Sequence, residues 1–225
     1  MSLFCLVHGS GHGPNCWDLL APQLEKLGHQ TICADLPVDE PDASATRYAQ
    51  VIAASLTAAG APAIVVAHSA SGMFLPLVPG YCDVSRMVFL AALVPEPGKS
   101  VRQRFKDDPE MFNPEWVGQN PTIDPAVARR FLFHDCTEDV SRWALTTLRL
   151  MYARAAIEEP CPLQSWPMVP STYILPTEDR TINPRWWKKE ATRLLQVQPL
   201  EIPGGHCPYF SRPQDLALLL FRLAG

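Results

Sequence analysis

The sequence predicts an α/β fold built on a doubly wound, mostly parallel six-stranded sheet, and three observations lead there. Six short apolar runs alternate along the chain with segments of helical periodicity. The runs are continuously apolar rather than alternating, as strands covered by helices on both faces must be. Polar turns follow four of the runs, at the strand ends where open parallel sheets bind ligands. A closed barrel would need eight such units.

The first strand, Leu3–Val7, runs into His8-Gly-Ser-Gly-His-Gly-Pro, a loop whose backbone N–H groups can face a ligand. It is not a phosphate loop, because no Gly-Lys-Ser/Thr follows and the Gly-x-Gly-x-x-Gly spacing is absent. A helix over 17–27 is expected next, capped by Asn15 and stopped by Gly28. The second strand, Gln30–Ala34, ends at Asp35, whose carboxylate is expected to satisfy loop backbone. Ser44 caps a helix whose apolar positions Tyr48, Val51, Ile52, Leu56 and Ala59 keep helical spacing up to Gly60. Residues 64–67 and 87–93 read as the third and fourth strands, and Pro76 and Pro79 keep the helix between them short.

No buried-strand pattern appears from 95 to 167, where Asp124-Pro125 and Thr137 with Glu138 and Asp139 open helices. That stretch is too long for a connecting loop. The expected layout is therefore a core of residues 1–94 and 168–225, with 95–167 inserted as a small helical cap. A strand at 171–175, a helix at 186–195, a strand at 197–202 and a C-terminal helix opened by Ser211 and Pro213 complete the chain.

The third strand carries the chemistry. It stops at His68-Ser69, with the small residues Ala67 and Ser71 two positions to either side of Ser69. A strand that turns sharply into a helix and lifts one serine above the sheet needs small flanks, because the turn brings two backbone arms together. Ser71 as the nucleophile would put Met73 where a small residue belongs. A serine hydroxyl reacts only when a base takes its proton, and a buried acid must hold that base in the right tautomer. His206, in a turn after the last strand, is the expected base, and Asp179, in a turn after the fifth, the expected acid. Glu178 next door and Glu96 after the fourth strand are the rival acids. The backbone N–H groups of Ser10 and Ala70 are the expected oxyanion donors. Of the other histidines, His12 is the one placed to reach the pocket mouth, while His8, His29, His68 and His134 are expected to be structural or exposed. Cys207 has no base of its own and is expected to pack. Trp116, Phe131, Phe133 and Trp143 either line an apolar pocket or pack the cap on the core.

Bulk composition narrows the function classes. A net charge of −4 without any basic run disfavours nucleic acid or anionic membrane partners. The seven cysteines are odd in number, lack Cys-x-x-Cys spacing and lie partly in apolar runs, which suits reduced thiols in the cytoplasm. No basic, long apolar leader precedes the first strand. The expected partner is a small molecule, and the chemistry calls for neither metal nor cofactor.

Three motifs, Leu6-Val-His-Gly-Ser-Gly-His-Gly, Val65-Val-Ala-His-Ser-Ala-Ser-Gly and Ile202-Pro-Gly-Gly-His, together resemble the α/β-hydrolase superfamily over the whole chain. The order Ser69, Asp179, His206 is the superfamily's triad order. The spacing from His8 through His12-Gly13 to Trp17, the Asp35-Leu-Pro turn and the closing His-Cys-Pro-Tyr-Phe are similar to the group of plant methylesterases and hydroxynitrile lyases. The resemblance implies a superfamily sheet without its first two strands, a cap over the active site at 95–167, and a carboxylesterase acting on a small, partly apolar ester. It also keeps two alternatives open: a carbon–carbon lyase using the same triad as base, and a non-catalytic small-molecule receptor. Lyases of that group carry a lysine after the catalytic histidine and a threonine after the first-loop histidine. Cys207 and Gly9 stand at those positions here, which favours the ester reading.

Overall fold

The computed structural model describes every residue except Tyr152 and Gly225. Six strands form one sheet: β1 (Leu3–Val7), β2 (Gln30–Ala34), β3 (Ala63–His68), β4 (Val84–Leu90), β5 (Ser171–Pro176) and β6 (Leu200–Ile202). All neighbouring pairs are parallel, and the order is β2-β1-β3-β4-β5-β6.

Alternation along each strand divides the core into two layers. Leu3, Cys5 and Val7 of β1 lie in one layer with the helices Ala45–Leu56 and Pro184–Leu195, whose Tyr48, Ile52, Trp187 and Ala191 belong to the same core. Phe4 and Leu6 face the opposite way, onto Trp17, Leu20 and Leu24 and onto Leu216 and Leu220 of the helix Pro213–Arg222. Each fully buried side chain of this size contributes about 1.5–3 kcal/mol, so both layers are needed to hold the sheet. Helices on both faces make the sheet doubly wound, as the apolar runs require.

The chain leaves β1 for β2 on one side, then returns to pair β3 on the other. Such a reversal opens a crevice at the carboxyl ends of the two diverging strands. Val7 pairs with Ala67, so the loops that follow β1 and β3 start side by side there.

Several boundaries differ from those the sequence predicts, each for a local reason. The helix expected over 17–27 is a 3-10 turn at Pro14–Trp17 and a separate helix at Ala21–Lys26, and Asn15 caps neither. Pro22 lacks an N–H and sits in the first turn of the second piece, where that loss costs nothing. Gly28 stops the helix as expected, at φ 84°. β4 ends at Leu90 because Ala91 turns to φ 47°, although the run continues buried to Val94. Gln196, at φ 56°, turns the chain after the helix Pro184–Leu195, and β6 is left with three residues. Proline at 76 and 79 leaves only 3-10 turns after Ser69, at Ser69–Met73 and Leu75–Gly80.

Between β4 and β5 lie four short helices, Val101–Asp107, Pro125–Phe131, Glu138–Ala144 and Arg154–Glu158. Ser100, Asp124 and Thr137 cap the first three with their side-chain oxygens. The segment also grips the glycine-rich loop: the N–H groups of Arg149 and Met151 donate to the carbonyls of Gly11 (3.0 Å) and Ser10 (2.8 Å). Among the described residues no helix is long and apolar enough to cross a membrane.

Candidate active site

Ser69 stands at φ 55°, a left-handed conformation that a residue with a Cβ adopts at a cost of order 1–3 kcal/mol. Its surroundings enforce it. The carbonyl of Ser69 accepts the N–H of Leu93 at 3.0 Å, tying the turn to the end of β4. Gly72 presses against that same strand end, where a Cβ would run into the carbonyl oxygen of Leu93. On the other side Gly9 approaches so closely that a Cβ would lie 2.9 Å from the Ser69 Cβ. Glycine at position 9 thus lets the two loops meet, rather than leaving open space beside the serine. Ser71 is fully buried and donates its hydroxyl to the carbonyl of His68 at 2.7 Å, so it braces the turn.

His206 reaches Ser69 from the loop after β6. Asp179 lies behind it, with Oδ2 2.6 Å from Nδ1 of His206. A carboxylate only accepts, so the neutral ring carries its proton on Nδ1 and presents the lone pair of Nε2 to Ser69 Oγ, 3.0 Å away. The Asp179 carboxylate is completely buried, and its Oδ1 takes the N–H groups of Thr181 (2.7 Å) and Ile182 (3.2 Å) and the Thr181 hydroxyl (2.9 Å). The structure therefore brings Ser69, His206 and Asp179 into one hydrogen-bonded line.

The rival acids are engaged elsewhere. Glu178 is exposed and accepts the N–H of Gly204 at 3.2 Å, while Glu96 pairs with Arg193, Lys99 and Arg104. Asp35 does not satisfy loop backbone as expected: its side chain pairs with Arg149 at 2.7 Å. Cys207 is buried, and burial pushes its thiol well above the usual range, which keeps it neutral.

His8, His12, His68 and His206 are all buried near the serine, and among the described residues His206 is the one whose ring reaches the Ser69 hydroxyl. His8 donates Nδ1–H to the Gly9 carbonyl (2.9 Å) and accepts the Leu36 N–H on Nε2 (3.1 Å), tying the start of the first loop to the turn after β2. His68 donates Nε2–H to the carbonyl of His206 (3.0 Å) and accepts from the Tyr209 hydroxyl (3.3 Å). Burial pulls both rings below the ordinary histidine range. His12 is pulled down to about 3, first by burial and then by the neighbouring His8 and His206, and it walls the smaller of two cavities at Ser69.

Those cavities hold about 310 and 590 Å³ and share Ser10, Ser69, Trp116 and His206. The larger is walled by Met73, Leu93, Phe105, Phe112, Ile157 and Ile182. Gln119 and Asn120 join His12 in the smaller. Ser10 and Ala70 both border the larger cavity, and among the described residues neither of their N–H groups donates to a protein acceptor. Of the four aromatics singled out in the sequence, Trp116 lines the cavities. Phe131 packs behind it (5.5 Å), and Phe133 and Trp143 pack against Phe210 (each 5.5 Å). Arg180 turns outward and donates to the carbonyl of Arg130. Among the described residues no cluster of three or more His, Cys, Asp or Glu side chains could hold a metal ion.

Sequence reasoning missed Thr181 and Tyr209 as parts of the site, while His68, expected to be structural or exposed, is buried and braces the His206 carbonyl. The signal for Thr181 was its place two residues after Asp179, where a hydroxyl and an N–H can fold back onto one carboxylate oxygen. Tyr209 carried no local signal, because it meets His68 only across the sheet end.

Known proteins share this architecture. A crystal structure of polyneuridine aldehyde esterase superposes with a TM-score of 0.80 at 21% identity, covering 100% of both chains. Norfluorocurarine synthase 1 of Strychnos nux-vomica is 27% identical over 98% of this chain and 94% of its own length. Methylesterase 2 of Arabidopsis thaliana is 26% identical over 98% of this chain and 95% of its own. The model of the alpha/beta hydrolase family matches residues 6–217, and the chain belongs to that family.

Proposed function

We propose that the protein is a serine carboxylesterase without metal or cofactor, acting on a small, partly apolar ester in a pocket covered by residues 95–167. The observation that carries the reading is the line from Ser69 Oγ through His206 to a buried carboxylate, at 3.0 and 2.6 Å. Relatives named methylesterase and a structural neighbour named polyneuridine aldehyde esterase support it.

In this reading His206 Nε2 takes the Ser69 proton as Oγ attacks the ester carbonyl. Asp179 holds the ring in its reactive tautomer and stabilises the imidazolium. The carbonyl oxygen becomes an oxyanion held by the Ser10 and Ala70 N–H groups, each such donor being worth roughly 10²–10³ in rate. His206 then returns the proton to the leaving alcohol, and water, activated by the same ring, releases the acid from Ser69. A lyase of the resembling group would hold the departing cyanide with a lysine directly after the catalytic histidine and the substrate alcohol with a threonine directly after the first-loop histidine, and Cys207 and Gly9 stand at those positions instead.

Turnover of activated esters by the wild type, beside a Ser69→Ala control and a cyanohydrin, tests this. Ester cleavage that disappears with the Ser69 hydroxyl supports the reading, whereas cyanide release dependent on His206 without ester turnover overturns it.

A further inference from the structure

Thr181 occupies an unusual place in the hydrogen-bonded line. The residue is 1% exposed, and its Oγ1 lies 2.9 Å from Asp179 Oδ1 and 2.9 Å from His206 Nδ1. A hydroxyl has one proton and two lone pairs. The proton goes to Asp179 Oδ1, because a carboxylate can only accept, and a lone pair is left facing the Nδ1–H of His206. That N–H therefore has two acceptors, the carboxylate oxygen at 2.6 Å and the threonine oxygen at 2.9 Å.

We propose that Thr181 is a positioning residue for the base, a single hydroxyl that fixes the Asp179 carboxylate and the His206 tautomer together. The proposal rests on the reading of Ser69, His206 and Asp179 as a catalytic triad. Backbone N–H groups of Thr181 and Ile182 already hold Oδ1, yet neither reaches the imidazole. Of these three groups the hydroxyl is the one that contacts both Asp179 and His206. When His206 takes up the serine proton, the charge on Nδ1–H is shared between two fixed oxygens, and the ring resists turning away from Oγ.

Thr181 also borders the larger cavity, so its two functions separate kinetically. Valine keeps the shape of the wall and removes the hydroxyl, whereas serine keeps the hydroxyl and trims the wall. KM then reports the wall and kcat the hydrogen bonds.

The test is kcat and KM for an activated ester with the wild type, Thr181→Val and Thr181→Ser, together with the low-field proton NMR signal of His206 Nδ1–H. Hydrogen bonds to charged groups are strong enough that Thr181→Val should lower kcat about 10- to 100-fold at a KM close to the wild type's. Thr181→Ser should recover most of that kcat, and the Nδ1–H signal should move in the valine protein and return in the serine one. If the valine protein does not fold, Thr181→Ala carries the same kcat comparison with Thr181→Ser. Full kcat in Thr181→Val beside an active wild type, or a folded Thr181→Ser no faster than the valine protein, overturns the role of Thr181 alone. Absence of ester turnover in the wild type removes the triad reading and this proposal with it.

Discussion

At the scale of single residues, the site is decided by which carboxylate is buried and which is wet. Asp179 and Glu178 are neighbours in the chain, yet the Asp179 side chain is completely buried against His206 while Glu178 is exposed and holds the N–H of Gly204. Asp179→Asn should cost on the order of 10⁴-fold in kcat, because an amide favours the wrong imidazole tautomer. Glu178→Gln should keep activity within a few-fold, since an amide oxygen can still accept the Gly204 N–H. Comparable losses in the two variants, measured on one ester, would dissolve the distinction. The serine, the histidine and this carboxylate were legible in the sequence because each ends an apolar run. The sequence made Asp179 the expected acid and kept Glu178 and Glu96 as rivals. The structure turns the Asp179 carboxylate towards His206, its other oxygen held by the N–H groups of Thr181 and Ile182, and leaves Glu178 exposed.

At the scale of elements, the turn after β3 depends on close backbone contacts. Ala67 and Ser71 match the expectation of small flanks, but the tightest contact is at Gly72, against Leu93 and Ala92. Gly72→Ala should lower the unfolding free energy by about 1–3 kcal/mol through overpacking, and reduce activity by displacing Ser69. Gly80→Ala, where nothing lies within 4 Å of an added Cβ, serves as the control and should leave ester turnover intact. Equal melting temperatures and rates in the two variants would contradict this view of the turn. Periodicity located all six strands, yet misplaced the ends of β4 and β6 and the first helix. Apolar runs report burial, and residues 91–94 are as buried as the strand they leave.

At the scale of the whole molecule, buried titratable groups set a pH window for stability. His8, His12 and His68 have folded pKa values below the ordinary 6.5, His12 at about 3, chiefly through burial. The unfolded chain therefore binds more protons below 6.5, and the stability these rings allow is lost as pH falls towards their folded values. Each such ring adds about 1.4 kcal/mol per pH unit in that range. The thiols act in the opposite direction: burial pushes Cys5 and Cys136 to about 12 and Cys33 to about 11. Their contribution is complete below the ordinary thiol value of 9.0 and is lost as pH rises through the folded values. Urea unfolding should show a plateau between about pH 6.5 and 9 with declines on both sides. The acid decline should be shallower in His12→Gln, and an unchanged slope would remove His12 from the account. The apolar runs announced buried thiols, but the burial of His12 could not be read from the sequence, since a histidine in a glycine-rich loop carries no mark of how deeply the segment between β4 and β5 will bury it. The central claim, that Ser69 is the nucleophile of an ester hydrolase, is tested most directly by mass mapping of the protein quenched during turnover of an activated ester. The acyl group is predicted on Ser69, with none in Ser69→Ala; an acyl group on Ser71 or Cys207, or undiminished turnover in Ser69→Ala, would contradict it.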